Sequence, residues 1–231
     1  MEKLELAKSF GDSLSDDTAS CISDLAEIGL DAIMDEGVLK EVPVLSTAVA
    51  LYKIGNSLLD RHNLKKLIAF LNAINKGIVS EEQRQEYRAK FQSNEKFRNQ
   101  EIGYLLVLIA RYTDYNKPEW LAKLYLAYLD GTISWEEMTM YAEVIDRFLL
   151  IDYRTLTSEA ITFHTNRNLG AESILRLVAL GLMAEDASIT INEARKTIKG
   201  ENKSASKISS DSQKKKYKRT EFGRKLVNIL K

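Results

Sequence analysis

The chain has 231 residues, with 33 Lys and Arg, 33 Asp and Glu, 11 glycines and only 2 prolines. So few turn-forming residues exclude a β-sandwich or barrel and favour a mainly α-helical fold. The single cysteine, Cys21, excludes an internal disulfide and a multi-cysteine zinc site, and it fits a reducing, cytoplasmic location. Because the N-terminus has acids where a signal peptide has a basic start, we also expect no secretion signal.

Charges cancel over the whole chain but are unevenly distributed along it. Residues 191–231 contain 13 Lys and Arg against 4 Asp and Glu, which leaves residues 1–190 with 20 against 29. The chain therefore combines an acidic body with a basic C-terminal region, a pattern that suggests a role for electrostatic contacts.

The first 150 residues predict about six helices, several of which start at recognisable capping residues. Asp17 or Thr18 can cap a helix that runs to about Met34, and Asn63 can cap a segment that ends at Gly77. A long helix from about Glu95 to Tyr112 has apolar residues at helical spacing that are expected to face inward, namely Phe97, Ile102, Leu105, Leu106 and Ile109.

Residues 42–59 raise the question of membrane contact, because Lys53 is the only formal charge between Glu41 and Asp60. A membrane span needs about 20 apolar residues, and this stretch is short and interrupted by polar side chains. After Pro43, its apolar residues follow a one-sided helical stripe that we expect to lie inside the bundle: Val44, Leu45, Ala48, Leu51, Tyr52, Gly55, Leu58 and Leu59. A membrane-acting helical effector that uses residues 42–59 is the alternative.

Two helix junctions, at residues 73–87 and 127–141, share a pattern. Each has a glycine, Gly77 or Gly131, followed three residues later by a serine that begins a capping box, Ser80 with Gln83 and Ser134 with Glu137. We interpret both as tight helical hairpins in which glycine takes the left-handed conformation.

The helices on either side of the second junction have further markers. Asn116 and Pro118 begin the helix that Gly131 ends, and the helix after Ser134 is expected to reach about Leu150.

The second junction also resembles known metal-binding turns. Asp130, Gly131, Ile133 and Glu137 match part of a calcium-binding loop, but its first and third positions would be Leu126 and Tyr128, which offer no carboxylate. The acid-Gly-x-Ile turn with a following Glu is also loosely similar to the tellurite-resistance TerB-like helical proteins. That similarity covers about ten residues twice and lacks the clustered acids of the family, so it implies no metal site.

Nothing in the sequence predicts catalysis. His62 and His164 are the only histidines, they are far apart, and neither has an acid or a cysteine at ligand spacing. No nucleophile, phosphate-loop or dinucleotide-binding motif is present, and the paired acids lie in first helical turns, where the helix dipole explains them. We therefore expect no enzyme, no catalytic residue, no metal and no cofactor.

The C-terminal residues have a different character from the body. An initial helix, a turn at Asn168-Leu169-Gly170 and a second helix from Ala171 are followed by the strand-like residues 188–191 and a closing Tyr-x-x-Thr-x-x-Gly. In this pattern Thr220 is placed to cap a last helix whose apolar face is Phe222, Leu226, Ile229 and Leu230. The region resembles a winged helix-turn-helix domain, over about a third of the chain.

The winged-helix resemblance implies that the second helix reads the DNA major groove and that the wing contacts phosphate. The wing, at residues 193–216, is unusually long and rich in Ser and Lys, which is typical of a mobile loop. Candidate nucleic-acid-binding residues are Arg176, Lys214, Lys215, Lys216, Lys218, Arg219, Arg224 and Lys225. A solvated basic loop that balances the acidic body explains the same residues equally well.

Together these features predict a helical bundle over residues 1–152 and a winged-helix-like α+β module over residues 153–231. We expect a cytoplasmic, non-enzymatic accessory or adaptor protein of a bacterial type, whose body contacts a protein partner. Contact between nucleic acid and the basic region is a further expectation, ahead of membrane contact.

Overall fold

The computed structural model of the chain describes residues 6–27, 42–52, 58–78, 80–158, 161–164, 170–186 and 214–231. The chain forms two compact units, Met1–Asp146 and Arg147–Lys231. The boundary drawn from the sequence, between residues 152 and 153, lies within the second unit. The described residues are mainly helical, which confirms the mainly α-helical character predicted from the scarcity of proline and glycine.

Within the described residues, the first unit is built from helices. They are α1 (Leu6–Asp12), α2 (Asp16–Glu27), α3 (Pro43–Tyr52), α4 (Leu58–Gly77), α5 (Glu81–Gln92), α6 (Glu95–Arg111), α7 (Asn116–Leu129) and α8, which begins at Trp135 and ends at Arg147. Helix α1 packs against α3, α5 and α6, while α4 packs against α2 and α7. The short first helix is therefore part of the core.

An aromatic cluster forms the centre of this unit. The ring of Phe10 lies 4.9 Å from that of Phe91 and 6.2 Å from those of Phe70 and Tyr125. All four side chains are buried. Tilted and edge-on contacts of this kind add to the free energy gained by removing the rings from water. Four helices, α1, α4, α5 and α7, thus meet at one point.

Several predicted helix ends are confirmed. The Ser80 hydroxyl accepts a hydrogen bond from the backbone N–H of Gln83 at 3.2 Å. At the second junction, Ser134 and Glu137 each accept from the other's backbone N–H at 3.1 Å, which completes a capping box. Pro43 is the first residue of α3, where its missing N–H costs no helical hydrogen bond.

Other predicted helix ends are wrong. Asn63 is not a cap, because α4 begins five residues earlier at Leu58. Helix α2 begins at Asp16, and the hydroxyl of Ser15 accepts from the N–H of Thr18 at 3.4 Å. Residues 28–34, where this helix was expected to end, lie outside the described residues. The helix after Ser134 ends at Arg147 and does not reach Leu150.

The two junction glycines have different roles, although their sequence contexts match. Gly131 takes the left-handed conformation, with φ of 74°, as predicted. Gly77 does not, so that prediction is wrong. A Cβ on Gly77 would lie 2.3 Å from the Cδ1 of Leu126, so a larger residue there would force the Leu126 side chain of α7 to shift.

The apolar stripe of residues 44–59 is partly buried as predicted. Val44, Leu45 and Ala48 are buried in the first unit. Leu59 is 68% exposed, against the prediction, because it lies in the first turn of α4. The side chains at positions 51, 52 and 58, and residue 55, lie outside the described part of the chain.

The inward face predicted for α6 is also largely confirmed. Its apolar side chains at Ile102, Leu105, Leu106 and Ile109 are buried. Phe97 is 38% exposed, against the prediction, because it lies in the first turn and packs at 6.5 Å against the ring of Trp135 on the edge of the unit.

The second unit combines short helices with a small sheet. After a 3-10 turn at Leu150–Asp152 come α9 (Tyr153–Thr157), β1 (Ile161–His164), α10 (Gly170–Ala179), β2 (Met183–Glu185), β3 (Lys214–Arg219) and α11 (Glu221–Leu230). The strands form an antiparallel sheet in the order β1-β3-β2. Helix α10 packs against α9 and β2, and α11 packs against α9 and β3.

Two predictions for the second unit are wrong. The initial helix is only five residues long, and the strand β1 that follows it was not predicted. The long loop expected at residues 193–216 ends earlier, because β3 begins at Lys214. The strand-like residues 188–191 and the rest of that loop lie outside the described residues.

Candidate nucleic-acid interface

Most of the predicted phosphate-binding residues lie on or beside the central strand of the sheet. Strand β3 pairs with β1, with Thr162 opposite Lys216, and with β2, with Ala184 opposite Lys218. Both edges of β3 are therefore hydrogen-bonded to neighbouring strands. Lys214, Lys215 and Lys216, which the sequence placed in a loop, belong to this strand.

The turn that connects β3 to α11 is fixed by Thr220. Its hydroxyl donates to the carbonyl oxygen of Gly181 at 2.7 Å and accepts from the N–H of Gly223 at 2.9 Å. This confirms the predicted helix cap. A Cβ on Gly223 would lie 2.1 Å from the backbone oxygen of Leu182, so glycine lets α11 approach the start of β2. The Thr-x-x-Gly spacing thus joins the last helix to the sheet.

The basic residues with described side chains differ in their surroundings. The amino group of Lys218 lies 3.0 Å from the carboxylate of Asp186, and the two side chains are 60% and 23% exposed. Such an exposed pair contributes little to stability and is screened by salt. Arg224 is exposed and donates to the carbonyl oxygen of Arg219 at 3.0 Å, while Lys225 is half-buried.

Arg176, the candidate base-reading residue, forms a bidentate ion pair with Asp152. Its Nε lies 2.8 Å from Oδ2 and its Nη2 lies 2.6 Å from Oδ1. The hydroxyl of Ser173 donates to the same carboxylate at 2.6 Å. Asp152 is fully buried and joins the turn before α9 to α10. Sequence reasoning missed this partner because a lone acid 24 residues away carries no visible signal.

The exposed side of α10 is apolar or acidic. Leu175 is 62% exposed and Val178 is 36% exposed. The Glu172 side chain is 75% exposed. Base edges in the major groove are read by hydrogen-bonding side chains such as Arg, Asn and Gln. With Arg176 paired to Asp152, the described side chains of α10 present none of these groups free for base contact.

Replacing Asp152 by asparagine is expected to destabilise the second unit by about 2 kcal/mol, because the side chain loses its charge and one of the two oxygens that accept hydrogen bonds from Arg176 and Ser173. Burial on its own raises the pKa of Asp152, but the hydrogen bonds from Arg176 and Ser173 and the charge of Arg176 outweigh it and hold the pKa below its ordinary value. A depressed pKa gives stability that is present above about pH 4 and lost as the pH falls through the folded-state value.

Thermal unfolding of both proteins at about pH 7 and about pH 3 checks this expectation. The wild-type advantage over Asp152→Asn should be large at the higher pH and shrink at the lower one. An advantage of equal size at both pH values would contradict a contribution from the ionised carboxylate.

A second buried carboxylate, missed by sequence reasoning, lies in the first unit. Glu101 is 1% exposed and accepts hydrogen bonds from Arg98 at 2.6 Å, from Tyr125 at 3.4 Å and from Tyr128. Burial, with the charge of Glu101, raises the pKa of Tyr125 well above its ordinary value. Burial, together with the hydrogen bond to Glu101, also raises the pKa of Tyr128, so both phenols stay protonated and donate to the carboxylate. This cluster holds α6 against α7.

The two histidines, His62 and His164, lie in different units. The ring of His62 lies 5.6 Å from that of Tyr115, over which the amino group of Lys65 also lies at 5.6 Å. His164 is the last residue of β1, opposite Lys214. Within the described residues, no three potential metal-ligating side chains come together.

Comparison of the chain with protein-family models, with curated proteins and with solved structures found no match. Among the helices of the described ranges, none combines the length and the apolar character that crossing a bilayer requires.

Proposed function

We propose that this chain is a non-enzymatic accessory protein of the adaptor type, in which the second unit contacts nucleic-acid phosphate and the first contacts a protein. The observation that carries the first part is β3, where five of six residues in KKKYKR are Lys or Arg. A basic strand at the centre of a sheet is the electrostatic footprint expected for a polyanion partner.

A winged-helix-like arrangement of the second unit is part of this proposal. It is supported by the element order, with α10 ahead of two strands, β2 and β3, that complete an antiparallel sheet before α11. The connection between β2 and β3 would be the wing. A helix-turn-helix needs two consecutive helices, and the described residues between β1 and β2 contain one. The proposal therefore assigns phosphate contact, and no base reading, to this unit.

The pairing of Arg176 with Asp152 supports binding that does not depend on base sequence. Phosphate contacts fix a protein on nucleic acid but carry no direct sequence information. Lysine suits this role because its ammonium is a point charge without the planar fork that reads guanine. Affinity should therefore be similar for unrelated sequences of the same length.

A half-exposed aromatic cluster supports protein contact by the first unit. The ring of Trp135 lies 6.5 Å from that of Phe97, 5.8 Å from that of Tyr104 and 5.3 Å from that of Tyr128. Aromatic residues are enriched in protein interfaces, where they supply large contact areas at low entropic cost.

Replacing Lys214, Lys215, Lys216 and Lys218 together by alanine is expected to weaken nucleic-acid binding and flatten its salt dependence. The slope of log affinity against log salt should fall by about 0.9 for each phosphate that the variant no longer neutralises. Fluorescence anisotropy with a labelled duplex, over a series of salt concentrations, measures this slope.

The control is a single replacement, Lys231→Ala, which removes an exposed charge outside β3. It should leave the slope nearly unchanged. If the fourfold variant kept the wild-type slope, the phosphate contacts would have to lie elsewhere. If wild type bound no nucleic acid at low salt, the second unit would instead be a protein-contact module, with Leu175 and Val178 as its exposed apolar residues.

A further inference from the structure

We propose that phosphate is bound by one face of the three-stranded sheet, through Lys214, Lys216 and Lys218, and not by helix α10. This inference rests on the proposed function and adds to it the location of the binding surface. The winged-helix resemblance on its own favours nucleic-acid contact through α10, whereas the register of the strands favours contact through the sheet.

The strand register separates the basic positions of β3 into two sets. Successive residues of a strand alternate between the faces of a sheet, and directly paired residues share a face. Positions 214, 216 and 218 pair with His164, Thr162 and Ala184. Positions 215, 217 and 219 pair with Phe163, Ile161 and Met183 and belong to the opposite face.

Burial identifies which of these faces is open. Met183 is 3% exposed and Arg219 is half-buried, so the face that they share is covered at that end of β3, while Glu185 farther along the same face is exposed. The Lys218 side chain is 60% exposed, so the face of positions 214, 216 and 218 is open to solvent at that end. Its cross-strand neighbour is the small residue Ala184, which leaves room beside the lysine.

The spacing of the three positions suits a linear polyanion. Alternate strand residues repeat about every 6.6 Å, so the three positions span ~13 Å along β3. Charges in such a row can contact successive phosphates of one backbone, and each contact releases condensed counterions. Flexible lysine side chains tolerate small mismatches of spacing between protein and phosphate.

Among the described residues, Asp186 is an acid that pairs with this face, just after the end of β2. Its carboxylate lies 3.0 Å from the amino group of Lys218 and competes with phosphate for that charge. Replacing Asp186 by asparagine should therefore strengthen nucleic-acid binding. If β3 were only a solvated basic strand that binds no phosphate at Lys218, this single substitution would leave nucleic-acid binding unchanged.

The alternation provides a matched pair of variants for the test. Lys216→Gln with Lys218→Gln removes two charges from the open face, and Lys215→Gln with Arg219→Gln removes two from the opposite face of the same strand. Binding of the full chain to a labelled 20-base-pair duplex is measured by anisotropy in about 50 mM salt. The first variant should lose about tenfold in affinity for each phosphate released, and the second should lose much less.

The gain expected for Asp186→Asn is a several-fold increase in affinity, and circular dichroism establishes that every variant is folded. Equal losses by the two double variants, or an unchanged affinity for Asp186→Asn, would overturn the assignment to this face while leaving phosphate binding intact. Absence of duplex binding by the wild-type chain would overturn both this inference and the proposed function.

Discussion

Replacing Gly223 by alanine is expected to destabilise the second unit by about 3 kcal/mol, the upper part of the usual range for overpacking. The added Cβ would lie 2.1 Å from the backbone oxygen of Leu182. Because that neighbour is backbone, no side-chain rotation relieves the clash, and α11 has to move away from β2. Such a movement also disturbs the Thr220 hydroxyl, which bonds both Gly181 and Gly223. Calorimetric unfolding measures the effect, as a Tm lowered by more than about 10 °C.

A matched glycine substitution serves as the control. Gly103 lies within α6, and a Cβ added to it would have no neighbouring atom within 4 Å, so alanine fits there. Gly103→Ala should stabilise the first unit by up to about 1 kcal/mol, because alanine is the better helix former. A Gly223→Ala protein that unfolds no earlier than wild type would show that the close approach of α11 to β2 is wrong.

Replacing Glu101 by alanine is expected to destabilise the first unit by about 3–5 kcal/mol, the cost of breaking a buried ion pair by removing one partner. The change leaves the guanidinium of Arg98 and the hydroxyls of Tyr125 and Tyr128 without their shared acceptor. Tyr125 is fully buried, so water cannot replace the missing carboxylate at its hydroxyl without opening the core. Urea unfolding followed by circular dichroism gives the free energy of unfolding.

Two controls separate the buried charge from other effects. Glu101→Gln keeps the shape and one acceptor oxygen, so its cost should be smaller than that of alanine. Glu143→Ala removes a carboxylate that lies 3.8 Å from Arg111 in an exposed pair, and its cost should stay below about 1 kcal/mol. If Glu101→Ala and Glu143→Ala had equal effects, Glu101 would not be the acceptor that holds α6 to α7.

Sequence patterns predicted the elements whose signals are local. The capping pairs at Ser80 and Ser134, the proline that begins α3 and the cap at Thr220 each involve residues within one helical turn. Helix α1 was missed because seven residues are too few to show helical periodicity, although Phe10 packs at the centre of the core.

Features that depend on distant residues were not predictable in the same way. Gly77 and Gly131 occupy matching sequence contexts, yet one packs against the Leu126 side chain of a later helix and the other takes a left-handed backbone conformation. The acceptor role of Glu101 likewise depends on tyrosines in another helix. A single sequence does not show which helices become neighbours, so such pairs emerge only from the fold.

The sequence predicted which basic residues belong to the candidate site, but not how these residues are arranged in the fold. The sequence identified the basic residues around β3, and it placed three of them in a loop because lysine-rich segments resemble solvated linkers. Which lysines share a face depends on the register with β1 and β2, whose residues lie far away in the chain. Arg176 is basic and helical in sequence, but its pairing with Asp152 depends on how the turn before α9 meets α10.

A salt titration of binding tests whether the second unit contacts nucleic-acid phosphate without reading bases. Two duplexes of equal length and unrelated sequence are titrated with the full chain at several salt concentrations. Binding through phosphate alone predicts similar affinities for both and a linear fall of log affinity with log salt, of slope about −0.9 for each phosphate contacted. Failure to bind either duplex at low salt, or a strong preference for one duplex that persists as salt rises, would contradict it.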